Sequence, residues 1–297
     1  MSALVSDTDR VHSRRDLALL AFAGLGTLPW GGSGGARLGV HASSFQDVPA
    51  ASGTDVVDSV IRAMTACAVT ECALASSVVE PSGYRAHEAG HHQAMSSMTP
   101  QMMRRELRKW RLRTPLTYFE AIGARFANAG IRIYAYDYRP DASFSDEEIE
   151  CGFSMARALG AELLTVSTTE PLAERVSRCA GRHDMVVAFE AESLTAVPGS
   201  SRRHVDVARM LAADIDPVAY LRARHDEIAS VDLTDCRKGS SDAVTWGEGD
   251  APIREVLQLL KREGWPIHAY VKYQHRGGDA VVEEVKRCVA YAKQAMA

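Results

Sequence analysis

The 297-residue chain lacks any C-x-x-C pair or zinc-finger cysteine spacing, which argues against a redox dithiol and a structural zinc. Its six cysteines, Cys67, Cys72, Cys151, Cys179, Cys236 and Cys288, are scattered, and buried thiols are the expectation. Cys236 lies at the end of a strand-like run, and its neighbours Asp235 and Arg237 leave its reading as a catalytic or an inert thiol open. No G-x-G-x-x-G follows the first strand-like run and no G-x-x-x-x-G-K-[ST] occurs, which removes the strongest reason to place a nucleotide. Past residue 36 there is no G-x-S-x-G elbow for a serine nucleophile, and H-E-x-x-H is absent throughout. A dominant charge is missing too: 34 basic against 38 acidic side chains leave −4, no field to gather nucleic acid or anionic lipid. The apolar run from Leu17 to Leu28 is shorter than the roughly 18 residues needed to cross a bilayer.

The chain does have the composition of a packed soluble protein, 46% hydrophobic and 24% charged. Residues 1–36 read differently from the rest. Ser13-Arg14-Arg15-Asp16-Leu17 precedes the short apolar run, and Gly31-Gly32-Ser33-Gly34-Gly35 follows it. This resembles a twin-arginine export leader with a glycine-rich linker and implies a periplasmic or extracytoplasmic location. A surface-docked N-terminal helix on a cytoplasmic protein is the alternative. Either way, the folded domain is expected over 37–297.

From Arg37 onward, β-rich runs alternate with helical periods. The strand expectations are Leu38–Ser43, Val69–Ala75, Ile131–Tyr138, Glu162–Val166, Met185–Glu190, Ile228–Leu233 and His268–Tyr273, with room for one more near Arg203–Val207. Between them, apolar residues three and four apart, such as Phe119, Ile122 and Phe126 or Val282, Val285 and Val289, mark amphipathic helices. Strand-then-helix order means parallel strands joined by right-handed crossovers, and eight of them favour an α/β protein of the (β/α)8 barrel type over an open sheet. The stretch Ser193–Arg203 is too short for a full helix plus loops, so the sixth unit is expected to be irregular or truncated. Ser201 as the cap of a helix over Arg202–Ala213, with Asp206 in solvent, is the other reading of that stretch.

Particular strings carry more. Leu38-Gly39-Val40-His41, Val79-Glu80-Pro81, Lys109-Trp110-Arg111-Leu112, Phe126 through Ile131, and Cys151-Gly152-Phe153 through Ala161 resemble the sugar phosphate isomerase/epimerase family with the xylose-isomerase-like TIM barrel. So do Asp216 through Leu221, Trp246-Gly247-Glu248-Gly249-Asp250, Glu255 through Leu260 and Glu284 through Cys288, which read like its exported bacterial members. The resemblance implies a divalent metal, Mn or Mg, held by carboxylates and a histidine at the strand ends, and proton transfer beside a sugar carbonyl. Residue by residue the pattern is altered. Glu190 stands where a ligand or base is expected, and Asp206 keeps the acid of D-x-G-H, whose histidine has become Arg209. Asp232 replaces an imidazole. Lys272, in Lys272-Tyr273-Gln274-His275, replaces the last carboxylate. If a metal binds, Glu190, Asp206 and Asp232 are its ligands, but a charged lysine cannot coordinate a cation and disfavours it.

The expected machinery is therefore Glu190 and Asp232 as acid and base, Lys272 as a fixed positive charge, and His41, Glu80, Arg209, Trp246, Gln274 and His275 as groups touching substrate. The expected function is a sugar isomerase or epimerase with a metal-poor site and a small carbohydrate substrate. A catalytically inactive sugar- or partner-binding barrel, paired with itself or an active homologue, is one alternative. A lyase or hydratase on oxidised sugars is the other. His87, His91 and His92 lie in a polar insertion, 82–99, read as a loop on the active-site face. Arg104, Arg105, Arg108, Lys109, Arg111 and Arg113 are read as the solvated basic face of a helix whose apolar side is Leu107, Trp110 and Leu112.

Overall fold

The computed structural model describes residues 37–45, 48, 55–81, 99–191, 194–274 and 280–297. The leader, the histidine insertion and His275 fall outside them. Eight parallel strands close into a barrel in sequence order: β1 Arg37–His41, β2 Glu71–Ala75, β3 Arg132–Tyr138, β4 Leu163–Val166, β5 Val186–Glu190, β6 Arg202–Asp206, β7 Ile228–Leu233 and β8 His268–Val271. Around them run α1 Val56–Ala66, α2 Ser76–Val79, α3 Pro100–Arg113, α4 Leu116–Asn128, α5 Asp146–Leu159, α6 Glu170–His183, α7 Val207–Ala212, α8 Pro217–Arg224, α9 Ile253–Glu263 and α10 Val281–Ala295. This is a (β/α)8 TIM barrel.

Helix boundaries follow local chemistry. Asp55 caps α1 through the Asp58 amide at 2.8 Å, Ser145 and Glu148 form a capping box on α5, and Gly160 closes that helix in the left-handed region. The sixth unit carries the irregularity expected from the sequence. Among the described residues no helix separates β5 from β6, yet β6 pairs in parallel with both neighbours, its register against β7 shifting between Arg203 and His204. The reading of Arg202–Ala213 as one helix is corrected: its first five residues are strand, and Asp206 is buried where strand turns into α7.

Strand side chains alternate, so every second residue faces the axis and the interior fills in levels. On β8 these are His268 and Tyr270, and Lys272 continues the same phase just past the strand's end. At the lower level His268 Nδ1 meets Glu71 Oε1 at 2.6 Å, with Tyr134 stacked on the imidazole at 3.4 Å between ring centres. Above it, Tyr270 fills the middle with Ala73, Ala135, Leu163 and Ala188. Four strands contributing small or slender residues leave room for one tyrosine ring. Gly39 belongs to the same fit, since a Cβ there would lie 2.6 Å from the Glu71 carbonyl oxygen and 2.9 Å from the Tyr270 ring. The top level, at the C-terminal strand ends, is polar.

Gly39→Ala is expected to lower unfolding stability by about 1–3 kcal/mol, because the obstructing carbonyl belongs to a neighbouring strand and cannot step aside. Urea unfolding followed by circular dichroism measures it, and an unchanged midpoint would show that the ring and strand reposition freely.

Candidate active site

The C-terminal mouth is where a barrel of this kind presents side chains from several strand ends to one space. Here a small open cleft is lined by His41, Asp137, Arg139, Thr165, Val166, Ser167, Glu190, His204, Asp232 and Lys272. Five of its ionisable residues, His41, Glu190, His204, Asp232 and Lys272, are 6% exposed or less, so their charges interact with little water between them.

Lys272 is at the centre. Its Nζ donates to Asp206 Oδ2 at 2.8 Å and lies 2.9 Å from Asp232 Oδ2. Burial alone would strip the amine of its proton, but the two carboxylates outweigh it and push the pKa upward, so the group stays charged. An ammonium has three N–H bonds, and two of them meet carboxylates. Asp206 serves a second purpose: its Oδ1 accepts the amides of Ala208 and Arg209 at 3.1 and 3.3 Å and so caps α7.

Asp232 is the most connected carboxylate. Its Oδ2 faces Lys272, His204 Nε2 at 3.3 Å and His41 Nε2 at 4.0 Å. Burial opposes its charge, but Lys272 and then the two imidazoles hold the carboxyl well below the usual range. A carboxylate so held suits anchoring cations better than exchanging protons. Its other oxygen, Oδ1, is buried with no hydrogen-bond partner.

Two histidines flank it in different states. The Ser43 amide donates to His41 Nδ1 at 3.3 Å, with Ser43 Oγ 2.7 Å away, which leaves the ring proton on Nε2 toward Asp137 at 3.7 Å and Asp232. Burial lowers the His41 pKa, and the nearby carboxylates do not offset it. His204 is also penalised by burial, but Asp232 against its Nε2 raises it overall, while Nδ1 rests on Ser230 Oγ at 2.8 Å. Asp137 is drawn below its usual range because Arg139, with Nε 3.2 Å away, and His41 and Lys272 together outweigh its burial.

Glu190 is held by different partners. Its Oε2 accepts from Ser167 Oγ at 2.5 Å and Arg209 Nη1 at 2.6 Å. Gln274 reaches the group through Ser43, its Nε2 donating to Oγ at 3.4 Å. Glu80 and Trp246 are placed elsewhere. Glu80 forms a buried bidentate pair with Arg111 at 2.6 and 3.0 Å, and the Trp246 ring packs edge-on against Tyr291 of α10 at 5.8 Å. The basic helix also differs from its sequence reading: Arg111 is buried, and Arg104 and Arg108 engage the buried Glu148, while Leu112 is exposed. Two buried carboxylates opposite α3, Glu80 and Glu148, draw in Arg111 and engage Arg104 and Arg108, while Arg105, Lys109 and Arg113 stay exposed as the sequence reading has them. Cys236 is buried and its thiol is pushed up to about 11, which leaves it inert at neutral pH.

His204, Asp137, Arg139, Ser167 and Ser230 are members that sequence reading missed. The signal available was position: Asp137 and His204 are polar residues at or near strand ends on the axis-facing phase. A divalent ion requires oxygen or imidazole donors converging at about 2.0–2.2 Å. The point between Asp206 and Asp232 is taken by an ammonium, and among the described residues no three His, Cys, Asp or Glu side chains converge to hold an ion. The residues present do not fit the metal that the resemblance implied.

No protein-family profile matches this chain, and no curated protein aligns with it. Solved structures do match. An L-ribulose 3-epimerase superposes with a TM-score of 0.57 at 11% identity, covering 88% of this chain and 94% of its own. A probable 3-DHS dehydratase from Bacillus anthracis gives 0.58 at 11%, over 85% and 98%. A sugar phosphate isomerase/epimerase from Parabacteroides distasonis gives 0.55 at 12%, over 89% and 97%. At such identities the likeness concerns the fold, the xylose-isomerase-like barrel.

Two outcomes follow. Nitrogen chemical shifts of labelled histidine should show His41 neutral, with its proton on Nε2, at the ordinary midpoint of 6.5, and His204 charged there; coincident titration of the two would refute the assignment. Glu80→Ala should cost about 3–5 kcal/mol in denaturant unfolding by leaving Arg111 buried without its carboxylate, and a loss below about 1 kcal/mol would mean that Arg111 finds water instead.

Proposed function

We propose that the chain is a sugar isomerase or epimerase that moves a proton beside the carbonyl of a keto-sugar, using its own side chains where an inorganic ion would otherwise serve. The observation that carries this reading is the Lys272 ammonium, buried at the barrel mouth and fixed by Asp206 and Asp232. A C–H next to a carbonyl becomes acidic only if the charge arriving on oxygen is stabilised in place. Lys272 is positively charged over the whole physiological range, and only two of its three N–H bonds meet carboxylates.

In this mechanism the carbonyl oxygen of the substrate receives the remaining Lys272 N–H and the Nε2–H of neutral His41. Glu190 is assigned to accept the carbon-bound proton and return it to the adjacent carbon, which isomerises the sugar; epimerisation requires a proton delivered to the opposite face of the original carbon. Asp206 and Asp232 act as positioning residues for Lys272. The unpartnered Asp232 Oδ1 accepts a substrate hydroxyl, which relieves a buried acceptor that costs about 1–3 kcal/mol when left bare. The resemblance of the N-terminal residues to a twin-arginine leader supports placing this activity outside the cytoplasm.

A lyase acting on oxidised sugars is the second reading, favoured by His204. A charged imidazole beside the enolate can hand a proton to a departing hydroxyl, so the same intermediate would expel water.

The test is deuterium wash-in from D2O into a panel of pentuloses, hexuloses and sugar acids, read by mass spectrometry. Solvent deuterium should enter next to the carbonyl with the carbon skeleton intact, and Glu190→Gln should slow it by about 10²-fold or more. Loss of one water from a product identifies the lyase instead. Binding of a panel sugar with no exchange and no product identifies an inactive barrel and rejects both.

A further inference from the structure

Glu190 is held more firmly than a base that must take up a proton should be. Its Oε2 accepts from Ser167 Oγ at 2.5 Å and from Arg209 Nη1 at 2.6 Å. A carboxylate oxygen offers two lone-pair directions, so both are filled at this atom, and a proton enters there only when one donor leaves. The donors differ in how easily they can. Ser167 sits just past the end of β4 on a short side chain, whereas Arg209 is long, flexible and 38% exposed. The backbone under Arg209 stays put, because its amide donates to Asp206 Oδ1 at 3.3 Å and Asp206 is itself fixed on Lys272. Its departure is therefore the swing of one side chain, with no movement of α7.

A guanidinium that leaves a carboxylate in a cleft with little water needs another anion to meet. A neutral sugar carries none. A carboxylate or a phosphate on the substrate does, and either fits the planar fork through two parallel N–H bonds. We propose that Arg209 is both the receptor for an anionic substituent of the substrate and the catch on Glu190, so that a sugar bearing a carboxylate or phosphate draws the guanidinium off Oε2 and releases the base, while a neutral sugar leaves the catch closed. Arg139 is the natural comparison. It also lines the cleft and is 40% exposed, but it faces Asp137, with Nε 3.2 Å from Oδ2, and so bears on a carboxylate that is not the base. The catch rests on the assignment of Glu190 as the base; the preference for an anion is measurable without it.

Calorimetric titration with D-glucitol, D-gluconate and D-glucitol 6-phosphate, which share one skeleton, reads the receptor without turnover. Wild-type protein should bind at least one of the two anions about tenfold or more tightly than glucitol, and Arg209→Gln should erase the difference. Whichever anion is preferred identifies the substituent as carboxylate or phosphate. The catch is read from the Glu190 carboxyl resonance in protein carrying ¹³C-labelled glutamate, assigned by its loss in Glu190→Gln. That resonance should move when the preferred anion is added to wild type, and should move in the same direction in ligand-free Arg209→Gln. Arg139→Gln should leave it near its wild-type position. In deuterium wash-in, Arg209→Gln should speed exchange into neutral keto-sugars by about threefold or more and slow it for anionic ones. Equal affinity of wild type for all three probes would overturn the proposal, as would a folded Arg209→Gln protein that keeps the preference or exchanges neutral sugars more slowly than wild type. A Glu190 resonance that ignores the bound anion would overturn it too. Should no sugar exchange at all while the binding and resonance results hold, the isomerase reading falls and the anion receptor stands.

Discussion

The mouth of this barrel is organised by one buried ammonium between two carboxylates. Removing any of the three from water is costly, and the arrangement persists because each charge finds an opposite charge at hydrogen-bond distance. The consequences spread outward from Lys272. Asp232 is kept ionised and can therefore hold His204 in its charged form, while His41, more distant and more dominated by burial, stays neutral. Two imidazoles on one carboxylate thus take different protonation states, the kind of asymmetry that acid–base chemistry uses. Asp206 links the same ammonium to the backbone, since the carboxylate that meets Lys272 also caps α7, which carries Arg209 to Glu190.

The levels beneath explain how a flat charge cluster can sit on a barrel at all. A closed parallel barrel has a packed interior and no pore, and here small side chains on four strands admit the ring of Tyr270 from the eighth. Because residues two apart share a direction, the phase that puts His268 and Tyr270 on the axis also delivers Lys272 to the mouth. The position of the amine is therefore a consequence of strand register before it is a matter of local bonding.

Much of this was legible in the linear chain. Parallel strands were readable from alternation of β-branched runs with helical periods, and the strand expectations match β1 to β8 to within a few residues at the ends. Glu190, Asp232 and Lys272 are singled out through the family resemblance, as the residues standing at its altered motif positions, and all three line one cavity. What the sequence withheld were relations between distant segments. That Glu80 pairs with Arg111, and that Arg104 reaches Glu148, depends on how α3 lies across the barrel, which no periodicity reports. His204 was hidden by its setting. It sits among arginines in a stretch whose strand character is set by pairing with β5 and β7 more than by its own composition.

The sector between β5 and β6 is built from different material. Without a helix among its described residues, the outward face of β6 offers Arg203, whose guanidinium gathers the carbonyl oxygens of Ala191, Leu194 and Thr195 and the carboxylate of Glu227. Oil-like packing seals the neighbouring sectors, whereas here buried Ala191 and Leu194 are joined by one planar cation that knots the chain to the wall. Such a closure is directional: it depends on one guanidinium meeting several acceptors at once, so a change in the length of this segment would move those acceptors out of its reach.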